Sequence, residues 1–60
     1  MYCDICLHGE GSAFQTPDDI AEVLLNIRNR IMAGETDGDV RDLNGNDIGW
    51  FMTSDYEVVG

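Results

Sequence analysis

The fold is decided by the stretch TPDDIAEVLLNIRNRIMAG, residues 16–34, which carries the strongest pattern in the chain. Thr16 stands where a helix N-cap is expected, and Pro17 suits the first helical position. Two aspartates follow in the first turn, where the helix dipole favours negative charge. Gly34 is typical of the position just beyond a helix. The stretch therefore predicts a helix over residues 17–33, with one apolar stripe made of Ile20, Val23, Leu24, Ile27 and Ile31.

Strand patterns flank this helix on both sides. Residues 1–8 alternate between two faces, with Cys3, Ile5 and Leu7 on one of them. The glycines of GEGS, residues 9–12, predict a loop. After the helix, ETDGD at 35–39 has the composition of an acidic linker, and further strands are predicted near 39–43 and 46–53. The order β-α-β-β predicts one small α+β domain, in which an amphipathic helix packs on a three-stranded antiparallel sheet.

The turn between the last two strands is predicted by the Asn-Gly pair at residues 44 and 45. A two-residue turn at this pair would set Val40 against Gly49. A type I turn that begins at Asp42, with a bulge at Gly45, would set Val40 against Ile48. We favour the second register because it packs two branched apolar side chains together.

On the favoured register, Phe51 projects from the sheet face opposite to Ile48, Trp50 and Met52. One helix covers only one face of a three-stranded sheet. We therefore expect aromatic side chains on the other face, Phe51 and Tyr2 with Tyr56, to form an interaction surface.

The polar residues of the turn also allow a calcium interpretation. Asp42, Asn44 and Asn46 fall at the first, third and fifth positions of an EF-hand-like loop. The sixth position is Asp47 rather than Gly, and the twelfth is Thr53 rather than Glu. We therefore interpret these residues as a turn in which Asp42 pairs with Asn46 and accepts backbone N–H bonds.

The charge of the chain limits its partners. Twelve acidic residues face three arginines and no lysine, for a formal net charge of −9. Phosphate backbones repel such a chain, so we expect no direct nucleic-acid binding. Two interpretations stay open: the acids keep a small domain soluble, or they occupy a cationic groove that normally holds nucleic acid. Glu35, Asp37 and Asp39 are the candidate residues for the second. No apolar run approaches the length of a membrane span.

Three residues near the start could begin a metal site. Cys3, Cys6 and His8 form a Cys-x₂-Cys-x-His pattern, but a structural zinc needs four ligands and no second pair follows. On a strand, the two cysteines point to opposite faces with Cα atoms roughly 10 Å apart, which is too far for a disulfide. We expect small buried hydrophobic residues and no metal or other cofactor. A zinc ion shared between two chains stays an alternative.

Catalysis and secretion are not supported by the sequence. The single histidine lies in no nucleophile motif, and no phosphate-binding or dinucleotide-binding fingerprint is present, so we do not expect an enzyme. Residues 1–8 lack a basic segment and a cleavage site, so we expect no signal peptide. Two cysteines without a secretory signal indicate a reducing cytoplasm.

About two thirds of the chain resembles a family of very small phage and prophage proteins. The resemblance rests on Ser12-Ala13-Phe14, on the helix that runs to Gly34, and on RDLNGNDIG at residues 41–49. It implies a viral source and an accessory role, and it assigns no catalytic residues. The sequence thus predicts a phage accessory protein that binds a host protein, such as an anti-CRISPR or another anti-defence inhibitor. The alternatives are a self-associating module whose sheet face forms a homodimer, and a small zinc protein.

Overall fold

The structure is a computed structural model that describes residues 1–55. Its elements are β1 (Tyr2–Leu7), α1 (Pro17–Met32), β2 (Asp37–Arg41) and β3 (Asp47–Ser54). The three strands form one antiparallel sheet in the order β1-β3-β2. The predicted α+β fold is confirmed. The predicted bounds of β2 are wrong, because residues 37 and 38 of the supposed acidic linker already belong to the strand.

Reciprocal hydrogen bonds fix the start of α1. The Thr16 side chain accepts a hydrogen bond from the Asp19 amide, and the Asp19 carboxylate accepts one from the Thr16 amide. This is a capping box, which satisfies two N–H groups that the helix itself leaves unpaired. The Gln15 amide also donates to Asp19. These backbone N–H donors hold the pKa of Asp19 below its usual value of 3.8. The helix ends as predicted, and the Gly34 amide donates to the Ile31 carbonyl oxygen.

The β2–β3 turn has the predicted type I geometry. The Gly45 amide donates to the Asp42 carbonyl oxygen, the Asp42 amide donates to the Asn46 carbonyl oxygen, and Gly45 has a positive φ of +81°. The buried Asp42 carboxylate accepts hydrogen bonds from the amides of Asn44 and Asn46, each at 2.9 Å. The predicted structural role of Asp42 is confirmed.

Beyond the turn, the predicted register is wrong. Arg41 lies opposite Asp47, but Val40 lies opposite Gly49, so Ile48 is an extra residue on β3. This bulge changes which side chains face inward after it, and both Ile48 and Phe51 are buried. Gly49 has a φ of +151°, and a Cβ at this position would collide with the Cys6 carbonyl oxygen of β1. A side chain is therefore not tolerated where the bulge meets the neighbouring strand.

The core lies between α1 and the inner face of the sheet. Its five buried apolar residues are Val23, Ile27, Val40, Ile48 and Phe51. Leu7, Phe14 and Ile31 are partly buried and pack against these five. Arg30 also covers the sheet, with its guanidinium 4.9 Å from the centre of the Phe51 ring. The helix thus buries one stripe of its own and one face of the sheet. The opposite face, which we call the outer face, carries no helix among residues 1–55.

Candidate interaction surface

The outer face carries side chains in rows across the sheet, and the rows of Trp50 and Met52 form its centre. Residues directly opposite each other in antiparallel strands point to the same side. The register therefore places Trp50 of β3 between Asp39 of β2 and Cys6 of β1. The adjacent outer row places Met52 between two acids, Asp37 and Asp4. The result is an apolar centre with carboxylates on both flanks.

Trp50 is the most prominent apolar group of this face. It is the single tryptophan of the chain, and 42% of its surface is exposed. Tyr2 lies at the next outer position of β1, with 39% of its surface exposed, and its hydroxyl lies 3.5 Å from the Asp4 carboxylate. A partner that covers this centre would bury a large aromatic ring, the kind of residue that dominates binding energy at protein interfaces.

The carboxylates of the outer face are not neutralised within the described part of the chain. Arg30 forms an ion pair with Glu35 at 3.0 Å, and Asp4, Asp37 and Asp39 form no ion pair there. The Arg41 guanidinium donates to the Gly45 carbonyl oxygen. The outer face therefore presents three carboxylates without an ion pair, one beside Trp50 and two beside Met52, in a chain whose net charge is −9.

The sequence-predicted interaction residues divide into four groups. Asp37 and Asp39 lie on the outer face, on β2 rather than in a linker. Glu35 lies outside the sheet and is ion-paired with Arg30. Tyr56 lies outside the described residues. The placement of Phe51 on the open face is wrong, because its side chain is 1% exposed and lies beneath α1. The bulge at Ile48 and Gly49 exchanges the predicted places of Phe51 and Trp50.

The cysteines and the histidine do not converge. Cys3 and Cys6 lie on opposite faces of β1, as predicted, and both are free thiols. Both are exposed rather than buried, so the expectation of small buried hydrophobic residues is wrong for them. His8 uses its amide to donate to the Ile48 carbonyl oxygen. Within residues 1–55, no three His, Cys, Asp or Glu side chains are grouped so that they could hold a metal ion.

Small clefts also occur among residues 1–55. One cleft of about 190 Å³ lies between α1 and the β2–β3 turn, and Leu25, Arg41 and Leu43 are among the residues that line it. A second, of about 240 Å³, lies near Gly34 and Thr53. Both fall below the range of roughly 300–1,000 Å³ that small-molecule sites occupy.

The described helix is also too short and too polar to cross a bilayer.

Comparisons with known proteins add no assignment. The chain matches no protein-family model, and searches of curated proteins and of solved structures returned no match. The geometry and charge of the outer face therefore carry the functional argument.

Proposed function

We propose that this protein is a phage or prophage accessory protein that binds a host protein in the host cytoplasm, as an anti-defence inhibitor would. The observation that carries the proposal is the outer face, where Trp50 lies beside Asp39 and the adjacent Met52 lies between Asp37 and Asp4. A ring flanked by negative charge is complementary to a surface rich in arginine or lysine. The cation can lie over the tryptophan face while its hydrogen-bond donors reach the carboxylates.

Cationic protein surfaces of this kind commonly hold nucleic acid. A small protein that covers such a surface with carboxylates would compete with the nucleic acid for the same arginines. The position of the acids supports this mode of action, because Asp4, Asp37 and Asp39 lie together on one face of the sheet. The resemblance of residues 12–49 to small phage proteins supports the viral setting.

The proposal predicts how binding depends on salt. Exposed charges interact over about 10 Å at 0.1 M salt and over about 3 Å at 1 M salt. Affinity for the host partner should therefore fall steeply as salt rises, mostly through slower association. Nucleic acid bound by the same partner should be displaced by the protein.

The test uses the full chain to isolate a partner from host lysate, followed by affinity measurement with purified components. The informative variant neutralises the outer face, Asp37→Asn with Asp39→Asn. Its control removes the same charge from exposed helix positions, Asp18→Asn with Glu22→Gln. We expect the first pair to weaken binding at least about tenfold, or 1.4 kcal/mol, and the control to change it only slightly.

Trp50→Ala tests the aromatic part of the surface. A central tryptophan that becomes fully covered is worth about 2 kcal/mol or more, roughly a 30-fold loss of affinity. Equal losses for the outer-face pair and the helix control would mean that net charge alone drives binding. Full affinity for Trp50→Ala would contradict the proposed surface.

A further inference from the structure

We propose that two copies of this chain associate through the free edge of β1, in an antiparallel pair centred on Ile5. The two sheets would then form one continuous six-stranded sheet. This inference does not depend on the proposed function, since it rests on the backbone of β1 and on the side chains beside it.

The first observation is that the two edges of the sheet differ. At the β2 edge, Arg30 donates to the Asp39 carbonyl oxygen at 2.7 Å, and β2 carries two aspartates. Such charges and such coverage are the means by which edge strands avoid pairing. Within the described residues, nothing covers the outer edge of β1, whose six residues contain one charge, Asp4, and no proline.

The second observation identifies the free hydrogen-bonding groups. The His8 amide donates to the Ile48 carbonyl oxygen, so the even-numbered residues of this strand direct their N–H and C=O groups toward β3. The hydrogen-bonding direction of the backbone alternates from residue to residue along a strand. The N–H and C=O groups of Cys3, Ile5 and Leu7 therefore point away from the sheet. Three residues with one N–H and one C=O each leave a row of free donors and acceptors on this edge.

These free groups match a second copy in one register. When Ile5 lies opposite Ile5 of the second copy, Cys3 lies opposite Leu7 and all the free groups of both strands are paired. A register centred on Asp4 places two aspartates against each other, which is destabilising. A register centred on Cys6 leaves Cys3 without an opposite residue in the strand. In the Ile5 register, Asp4 faces Cys6 of the second copy, so no like charges meet.

The third observation is apolar surface next to the same edge. Ile5 on the inner face of β1 is 40% exposed, and Ile20 and Leu24 of α1 are each 43% exposed. The opposite flank of α1, with Glu22 and Asn29, lines the cleft beside β2 and the turn. By the helical period, Ile20 and Leu24 therefore lie on the flank nearer β1. The two-fold axis of the dimer is perpendicular to the sheet, so both helices lie on one side and these apolar groups meet across the axis.

The dimer also has a consequence for the outer face. The same two-fold axis places both outer faces on the other side of the sheet. Trp50 and the three carboxylates of the outer face would then occur twice on one continuous surface. A partner with an extended cationic groove would meet both copies, and the second contact would form at high effective concentration.

The first experiment measures association of the full chain by sedimentation equilibrium over micromolar to millimolar concentrations. We expect a monomer–dimer equilibrium that Ile5→Lys shifts toward monomer by at least about tenfold in dissociation constant. Leu25→Lys is the matched control on the exposed side of α1, and it should leave the equilibrium nearly unchanged. A wild-type chain that is monomeric throughout would overturn the proposal, and so would a dimer that Ile5→Lys does not weaken.

The second experiment tests the register and holds even if Ile5→Lys does not fold. Opposite residues in a non-hydrogen-bonded pair have Cα atoms about 4.5 Å apart, within disulfide range. The double variant Cys3→Ser, Asp4→Cys should therefore form an intermolecular disulfide between position 4 and Cys6 of the second copy. Oxidised glutathione takes up the two electrons and two protons and is reduced. Cys3→Ser alone should not cross-link, because Cys6 and its counterpart are diagonal neighbours roughly 7–8 Å apart. Cross-linking of the single variant, or its absence in the double variant, would contradict the register.

Discussion

Gly49→Ala is expected to be the most damaging small substitution in the sheet. A side chain at a φ of +151° is strained by about 1–3 kcal/mol. The added Cβ would also collide with the backbone oxygen of Cys6, which no rotamer change can relieve. A backbone shift to accommodate it costs about 1–3 kcal/mol more. A chain of 60 residues has a total stability of roughly 3–9 kcal/mol, so Gly49→Ala should remove about half of it or more.

The matched control is Gly45→Ala in the β2–β3 turn. Gly45 also has a positive φ, but nothing lies within 4 Å of a Cβ placed there. The free energy of unfolding of this variant should fall by only about 1–2 kcal/mol, which is the cost of placing a residue with a side chain in a left-handed conformation. Urea denaturation followed by far-UV circular dichroism gives both free energies of unfolding. If Gly49→Ala loses no more stability than Gly45→Ala, the close approach of β3 to β1 at the bulge is wrong.

Three further predictions concern the core and the helix cap. Phe51→Ala should cost about 3–5 kcal/mol of unfolding free energy and Trp50→Ala less than half as much; equal losses in urea melts would contradict their assignment to opposite faces. Thr16→Ala should cost about 1 kcal/mol and lower the Tm by about 4–8 °C, and an unchanged calorimetric Tm would mean that the capping box does not form in solution. Because the pKa of Asp19 is lowered, its stabilisation is complete above its unfolded value of 3.8 and is lost as the pH falls through the lower folded value. The difference in unfolding free energy between the native chain and Asp19→Asn should therefore shrink in acid. A difference that does not change with pH would show that the ionised Asp19 carboxylate is not the source of the stabilisation.

The helix and the turn were predictable because local residues determine them. Thr16 and Pro17 fix the start of α1, and the spacing of Val23 and Ile27 identifies its buried face. The turn follows from Asp42, whose carboxylate can reach amides two and four residues ahead, whatever the rest of the chain does.

The outer face was only partly predictable because it depends on a bulge. From the turn onward, strict alternation places Ile48 and Trp50 on one face, and this assumption fails at Gly49. A glycine inside a strand pattern is itself a bulge signal, so the sequence contained the information that would have placed Phe51 inside. The position of Arg30 over Phe51 depends on how α1 crosses the sheet, which no local pattern states.

The fluorescence of Trp50 tests the central claim most directly, because the chain has one tryptophan and it shares the outer face with Asp4, Asp37 and Asp39. In the folded monomer, emission should be that of a partly exposed indole. The ratio of the caesium to the iodide quenching constant, at equal ionic strength, should be higher than for free N-acetyltryptophanamide, because Asp37 and Asp39 attract the cation and repel the anion. Asp37→Asn with Asp39→Asn should reduce this preference. Blue-shifted emission that resists both quenchers, or a caesium-to-iodide ratio no higher than that of free N-acetyltryptophanamide, would show that Trp50 does not lie on an open acidic face.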